Sequence, residues 1–192
     1  KLAKNHAAEL TKAGKQVKVI TVGKKGRDAL KRELGDFFVE HVDLSEFKSI
    51  KYVNAQSIAK GILARFDDNE YDVATIFYSK FVNVVSQIPT AQQIIPANFE
   101  EDSTSVNQTV YDYEPDEETI LADLLPRGVA TQIFSALLEN GASEQGARMS
   151  AMDNATRNAG EMIDKLTIEF NRSRQAVITN ELIEIISGAE AL

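Results

Sequence analysis

The C-terminal third of this chain contains a long segment without proline, and this feature limits most strongly what the chain can fold into. From Gly128 to Ser187 there is no proline and no cluster of turn residues. At 1.5 Å per residue, such a segment predicts one helix about 90 Å long. A compact domain formed by residues 1–127 would have a radius of gyration of roughly 14 Å. We therefore expect the helix to extend far beyond the domain that carries it.

An apolar stripe follows this predicted helix with the alternating three- and four-residue spacing of a coiled coil. Its members are Met149, Met152, Thr156, Ala159, Ile163, Leu166, Phe170, Ser173 and Val177. Each large side chain left in water forgoes about 1.5 to 3 kcal/mol, so the stripe requires a partner helix. No other segment of the chain is long enough, and we expect the partner in a missing part of the polypeptide or in another chain.

Three glycines interrupt the helical pattern, namely Gly141, Gly146 and Gly160. Each costs about 1 kcal/mol relative to alanine in a helix. They leave open a loosely specified helix, a close approach by the backbone of the partner, or a break at Gly141.

The first 80 residues alternate between helical and extended patterns. The predicted elements are a helix ending at Gly14, a strand over 16–23, a helix over 27–34, a strand over 37–44, a helix over 53–66 and a strand over 71–78. This order predicts an α/β fold with a Rossmann-like parallel sheet covered by helices. A parallel unit that begins with a helix lacks its first strand, and the chain starts at Lys1 rather than at methionine. We therefore expect a fragment of a longer protein.

The middle of the chain has a different pattern. Residues 81–96 predict extended structure at a sheet edge, since Pro89 excludes a long helix. Residues 97–110 are polar and loop-like, and a short helix over 119–125 is expected to end at Pro126. We divide the chain into a globular domain, residues 1–127, and a coiled-coil helix, residues 128–192.

Composition and charge exclude several classes of function. The absence of cysteine rules out disulfides, thiolate metal sites and thiol nucleophiles. The net charge is −8, with ten Lys and Arg in residues 1–35 and nine acids but no base in residues 98–124. No aromatic residue interleaves the basic stretch, so we expect no nucleic-acid partner. Because no run of 18 apolar residues and no signal peptide is present, we expect a soluble chain.

No residue pattern predicts catalysis or ligand binding. The two histidines, His6 and His41, lack acidic neighbours at ligand spacing, so no metal site is expected. Residues 23–28 lack the spacing of a phosphate loop and predict a strand-to-helix turn. Asp67 and Asp68 indicate a loop between helix and strand. We expect no catalytic residue and no cofactor.

The last 50 residues, 143–192, closely resemble the C-terminal helix of the gamma subunit of F-type ATP synthases. A weaker resemblance to the central domain of that family covers residues 1–127. Family members begin with a long N-terminal helix, which would be the antiparallel partner that the apolar stripe requires. The resemblance implies a non-catalytic rotor subunit that couples proton-driven rotation to ATP synthesis in the beta subunits.

The same resemblance implies partners and contact residues. The partners would be the alpha and beta subunits of the catalytic ring, an epsilon-type subunit and the membrane c-ring. The chain would lie peripherally on the cytoplasmic face of a bacterial inner membrane, or on the matrix face in mitochondria. In the family, the pair matching Arg174 and Gln175 contacts a catalytic-subunit loop. We expect partner contacts at Arg172, Arg174, Gln175, Thr179, Glu181, Leu182, Ile183 and Ile186.

Two other functions fit parts of the sequence. A regulatory α/β domain could dimerise through a homotypic coiled coil, and a Rossmann-like domain could bind a small-molecule substrate. Neither accounts for the last 50 residues. A parallel homodimer would favour the first alternative, and saturable nucleotide binding by residues 1–127 would favour the second.

Overall fold

A computed structural model of the chain describes residues 1–45, 49–97, 114 and 116–190. Its elements are α1 (Leu2–Lys12), β1 (Val19–Val22), α2 (Lys24–Leu34), a 3₁₀ turn (Gly35–Phe37), β2 (Phe38–Val42), α3 (Tyr52–Asp67), β3 (Ala74–Phe81), β4 (Gln87–Ile95) and α4 (Glu117–Glu190). The chain separates into two compact units, Lys1–Gln145 and Gly146–Leu192. The predicted functional boundary between residues 127 and 128 stays a prediction.

β1 and β2 form a parallel pair that is joined through α2. Their register runs from Val19 opposite Phe38 to Val22 opposite Val42. Gly23 follows β1 with a φ of 89°, a left-handed conformation that glycine adopts without steric cost, and α2 begins at the next residue. The predicted strand-to-helix turn at residues 23–28 is confirmed, with α2 starting earlier than the sequence pattern suggested.

β3 and β4 form a separate antiparallel hairpin. Their pairing runs from Ala74 opposite Ile95 to Phe81 opposite Gln87. The prediction of extended structure over residues 81–96 is confirmed for Gln87–Ile95, which form β4, whereas residues 82–86 form the loop that joins the two strands. The prediction that the strand near residues 71–78 joins the parallel sheet is wrong, because β3 pairs with β4 instead. The loop over residues 82–86 is too short for a parallel crossover and permits only an antiparallel pair.

The core of the first unit lies among α3, the hairpin and the first part of α4. Its buried members are Ala55, Ile58, Ala59, Ile94, Ile95, Val129, Ala130 and Ile133. On α4, Val129, Ile133 and the buried Ala136 recur at four- and three-residue spacing, so they share one helix face. The ring of Phe134 packs edge-on against Tyr52 of α3, with ring centroids 5.8 Å apart.

Helix α4 passes through Pro126, which corrects the prediction that a short helix ends there. The proline has no N–H, so the carbonyl of Ala122 loses its partner in the helix, at a cost of about 3 kcal/mol relative to alanine. Val129, Ala130 and Ile133 are buried directly after the proline. Their packing stabilises the helical conformation on the far side of Pro126 and outweighs this cost.

The start of α4 is capped by a side chain. Asp116 accepts hydrogen bonds from the hydroxyl of Thr119, at 2.6 Å, and from its N–H, at 3.4 Å. These bonds lower the pKa of the Asp116 carboxyl. Gly141 lies inside the continuous helix, so α4 has no break at that position.

Two other predictions concern residues 97–110 and the apolar character of α4. The predicted polar loop over residues 97–110 lies outside the described residues from position 98 onward. By length and composition alone, α4 contains a stretch apolar enough to cross a membrane, with a mean hydropathy of 1.2 and 22% of the stretch buried. A core helix of a soluble protein has the same composition, so one such helix is a weak indication. The expected solubility of the chain stays a prediction.

Candidate protein interface on helix α4

The second unit is helical throughout its described residues, 146–190. Every side chain from Ala151 to Ala189 is exposed. The helical segment of this unit is roughly 65 Å long at 1.5 Å per residue. Most helices in proteins gain their stability from packing of one face, and this segment has no such packing within the described residues.

The apolar stripe predicted from the sequence forms one continuous surface on this segment. At about 100° per residue, its nine members fall within a sector roughly 120° wide, the width of a helix face that packs against a partner. Met149 is 65% exposed, Ile163 63% and Phe170 64%. Because large apolar side chains are stable when buried, this surface is a candidate interface for another helix.

The eight residues predicted to contact partners all lie on α4 and are all exposed. They fall on two faces, because successive helical residues are about 100° apart. One face is formed by Arg172, Gln175, Thr179, Leu182, Ile183 and Ile186. The other face carries Arg174 and Glu181, which are seven residues apart.

The position of Arg174 differs from the sequence expectation. As polar residues, Arg172, Arg174 and Gln175 are all expected on the polar side of the stripe. Helical geometry places Arg174 about 40° from the midline of the stripe, while Arg172 and Gln175 lie on the far side of the helix. The prediction of a shared polar face is therefore wrong for Arg174.

The two arginines are free to bind a partner. Neither Arg172 nor Arg174 forms an ion pair within the part of the chain that the structure describes. A guanidinium group offers five donors in a planar arrangement that matches a carboxylate. Their exposed side chains could therefore form directional bonds to an acidic or carbonyl-lined surface.

The last turns of α4 are apolar around most of the helix. Large side chains there are 48–68% exposed and cover about 240° of the helix circumference. They are Val177, Ile178, Leu182, Ile183, Ile185 and Ile186. The remaining sector carries Asn180, Glu184 and Ser187. A helix with so wide an apolar surface is stable when other protein covers most of it.

A second group of polar contacts on α4 lies within the first unit and was missed by the sequence analysis. Glu139, Asn140 and Ser143 bond to the backbone of β3 at Ser79 and Phe81. The signal was present, because Asn140 and Ser143 continue the three- and four-residue spacing of the buried apolar face. Burial, followed by the charge of Glu139, raises the pKa of the neighbouring Tyr78 hydroxyl.

The basic stretch in residues 1–35 forms surface ion pairs. The pairs are Lys4 with Glu33 at 2.6 Å, Lys18 with Glu70 at 2.8 Å, Lys24 with Asp43 at 3.4 Å and Lys25 with Glu144 at 3.5 Å. Hydrogen bonds from the lysines lower the pKa of the Glu33 and Glu70 carboxyls. Exposed pairs of this kind contribute little to stability, so they indicate a solvated face.

A cleft of about 330 Å³ lies between β2 and α3 and is lined in part by His41, Asp43, Asn54 and Ser57. The Nδ1 atom of His41 lies 2.9 Å from the Thr21 hydroxyl. The histidine in the wall of the cleft therefore has a bonding partner within the fold. The structure places no group of three or more metal-binding side chains together among the residues it describes.

Asp43 is held by local hydrogen bonds. Its carboxylate accepts bonds from the hydroxyl and the N–H of Ser45, and these bonds lower its pKa to about 2, with a smaller effect from Lys24. The other histidine, His6, packs on Phe77 with ring centroids 5.5 Å apart. Each of these groups has a structural partner within the first unit.

A sequence profile described as ATP synthase matches residues 1–192, and the ATP synthase gamma chain of Roseobacter denitrificans is 77% identical over the whole chain. The chain belongs to the ATP synthase gamma-chain family. The gamma chain of Ruegeria pomeroyi is 74% identical over the same 192 residues. The chain spans 66% of the length of both relatives. The family resemblance predicted from residues 143–192 is confirmed and extends to the entire sequence.

Two solved structures share the fold. One is the Euglena gracilis mitochondrial ATP synthase, OSCP/F1/c-ring, in rotational state 3, with a TM-score of 0.63 and 23% identity over 99% of this chain and 67% of that chain. The other is the central stalk and c-ring of the Tetrahymena thermophila mitochondrial ATP synthase, with a TM-score of 0.61 and 23% identity over 80% of this chain and 67% of that chain. The combination of α/β elements with a long C-terminal helix is therefore a gamma-chain fold.

Proposed function

We propose that the chain is the central-stalk rotor subunit of a proton-translocating F-type ATP synthase. In this role it couples proton-driven rotation to conformational change in the catalytic beta subunits. The observation that carries the proposal is the exposed apolar stripe on a gamma-chain helix. A surface of this kind is stable only against another helix, and a paired helix is stiff enough to act as a shaft.

The partner of the stripe would be a second, antiparallel helix of the same polypeptide. The relatives are longer than this chain, which spans 66% of their length, so they contain additional sequence that could supply it. We propose that residues 128–192 form the shaft and that residues 1–127 form the globular domain. The stripe would also serve a homotypic dimer, and a dimer that persists in the full-length chain would favour a regulatory function instead.

The chain would contribute mechanics and no catalytic residues. A rotor biases the conformational equilibria of its neighbours through differential contacts, and this requires shape and stiffness rather than a nucleophile or a bound cofactor. The proposed neighbours are the alpha and beta subunits, an epsilon-type subunit and the membrane c-ring. The chain would lie at the membrane surface as part of the complex, on the cytoplasmic face in a bacterium or on the matrix face in a mitochondrion.

The predicted contact residues take separate roles in this proposal. Arg174 and Gln175 would bond to a loop of a catalytic subunit, and Arg172 would bond to a carboxylate or a backbone carbonyl. Thr179 and Glu181 would be peripheral contacts. The apolar end of the helix, which includes Leu182, Ile183 and Ile186, would lie in an apolar sleeve formed by the alpha and beta subunits.

The test replaces Arg174 and Gln175 with alanine in the full-length protein within the assembled, membrane-reconstituted complex. Hydrogen bonds to a charged group contribute about 1.5–3 kcal/mol, so proton-driven ATP synthesis is expected to fall roughly tenfold or more. A matched control replaces Arg157 and Asn158, an exposed pair on the same helix, and should retain synthesis. Circular dichroism should show that the globular domain of both variants is folded. Unchanged synthesis in the Arg174→Ala, Gln175→Ala variant would contradict the assigned role.

A further inference from the structure

The outer end of β3 presents backbone groups that do not pair with β4. Ser79 lies opposite Pro89, which has no N–H to donate. In an antiparallel ladder, alternate residues direct their N–H and C=O groups away from the neighbouring strand. Ser79 and Phe81 are two residues apart, so both direct these groups toward the same edge.

Side chains of α4 bond to these outward-facing groups. The hydroxyl of Ser143 donates to the carbonyl of Ser79 at 2.8 Å, and the amide oxygen of Asn140 accepts from the N–H of Ser79 at 3.4 Å. A carboxylate oxygen of Glu139 accepts from the N–H of Phe81 at 3.1 Å. Three neighbouring residues of one helix turn therefore bond to one strand edge.

The burial of Ser143 indicates that this contact is part of the packed structure. Ser143 is 3% exposed, and a buried hydroxyl without a hydrogen-bond partner would destabilise the fold. The apolar face of α4, at Val129, Ile133 and Ala136, ends one turn earlier. Within the apolar contact, α4 forms one side-chain bond, from the amide of Gln92 on β4 to Gln132 at 3.1 Å. Beyond it, the side chains of α4 bond to the backbone of β3.

The two kinds of contact fix the helix with different precision. Burial of an apolar face has no directional bonds, so it sets the rotation of a helix about its axis only within the width of that face. Hydrogen bonds depend strongly on angle and distance, and three of them to a strand backbone fix that rotation. A helix that has to transmit rotation requires a contact of the second kind.

We propose that Glu139, Asn140 and Ser143 form a backbone latch that fixes the rotational position of α4 on β3 and carries torque between the globular part of the chain and its rotor helix. This proposal rests on the proposed rotor function. The latch residues are positioning residues, since they act through the helix and not on a reacting group.

The test compares three variants of the full-length protein in the reconstituted complex. The latch variant carries Glu139→Ala, Asn140→Ala and Ser143→Ala, and a conservative variant carries Glu139→Gln, Asn140→Asp and Ser143→Thr, which keep oxygen atoms in place. Ser135→Ala is the matched control, because Ser135 is an exposed serine on the same helix. The measured quantity is the number of protons pumped per ATP hydrolysed, together with amide hydrogen exchange at Ser79.

The latch predicts that the pumping ratio of the latch variant falls at least twofold, while the conservative and control variants stay near the wild-type ratio. The amides of Ser79 and Phe81 should exchange about fivefold faster in the latch variant, since each amide loses one bond that contributes roughly 1 kcal/mol. If the triple change prevents assembly, the single Asn140→Ala variant gives the same comparison at the amide of Ser79 with a smaller effect.

Other results overturn the proposal. Faster exchange with a pumping ratio equal to that of Ser135→Ala would mean that the latch forms but carries no torque. Wild-type exchange rates in the latch variant would mean that the bonds do not form. A wild-type complex that does not couple hydrolysis to pumping would refute the rotor function itself, which distinguishes that failure from failure of the latch.

Discussion

The two isoleucines Ile133 and Ile163 lie on the same helix in opposite environments, and the same substitution at each gives a sharp test. Ile133 is 2% exposed in the core, and Ile163 is 63% exposed on the stripe. Replacing Ile133 with alanine removes three carbon atoms, which costs about 2.4 kcal/mol in transfer free energy at about 0.8 kcal/mol per carbon. The cavity adds to this, so we expect a loss of about 3 kcal/mol in the free energy of unfolding.

The same change at Ile163 should have little effect in the 192-residue chain. Most of its side chain is already in water, and alanine has a higher helix propensity than isoleucine by about 0.4 kcal/mol. We expect a change within about 0.5 kcal/mol, as is usual for surface positions. In a full-length protein with a paired helix, Ile163→Ala should instead cost about 2 kcal/mol or more, because the side chain is then buried.

Thermal and urea unfolding, followed by circular dichroism, measure both effects. For a chain of this size, about 3 kcal/mol corresponds to a fall of roughly 6–12 °C in Tm for Ile133→Ala. Equal shifts of Tm for Ile133→Ala and Ile163→Ala in the 192-residue chain would contradict the placement of Ile133 in the core and of Ile163 on the surface. An Ile163→Ala change that stays neutral in the full-length protein would contradict the paired-helix assignment of the stripe.

Two further predictions concern local structure. Because the pKa of Asp43 is lowered from 3.8 to about 2 by bonds from Ser45, the charged form stabilises the folded state above about pH 4 and this contribution is lost as the pH falls toward 2. When the free energy of unfolding is measured with urea at several pH values, Asp43→Asn should lose less stability than the wild type as the pH falls from about 4 toward 2. The same pH dependence in both proteins would contradict the role of Ser45. Pro126→Ala should raise Tm, since it restores an N–H for the carbonyl of Ala122 and removes part of a cost of about 3 kcal/mol. A lower Tm would mean that the helix does not continue through residue 126.

The alternation of helices and strands could be predicted because each pattern is local. The β-branched run at residues 19–22 and the apolar face of α3 are visible in the sequence, and both elements are present. The partner of β3 could not be predicted from its own residues. The pairing of a strand depends on which other strand lies beside it. Here the loop over residues 82–86 is short, so β3 pairs with β4.

Pro126 shows how tertiary packing overrides a local signal. Read alone, a proline in a helical pattern indicates a helix end, because it removes one hydrogen bond and clashes with the preceding turn. The structure buries Val129, Ala130 and Ile133 immediately afterwards, and their packing free energy exceeds the cost of one lost bond. The residues that Val129, Ala130 and Ile133 pack against lie in α3 and β4, far from Pro126 in the sequence. The residues next to Pro126 therefore do not reveal that the helix continues.

One part of the candidate contacts of α4 could be predicted from local sequence and another part could not. The apolar stripe from Met149 to Val177 could be predicted because a helix face is fixed by spacing within one segment. The contacts of Asn140 and Ser143 with β3 could not be predicted. Their spacing places them on the core face of the helix, but it does not reveal which element lies opposite that face. A polar residue at a core-facing position is stable only if it finds a partner, and here the partner is the strand backbone. Polar interruptions of an apolar helix face therefore point to positions where one element holds another by hydrogen bonds, and in a rotor such positions fix the angle through which force is transmitted.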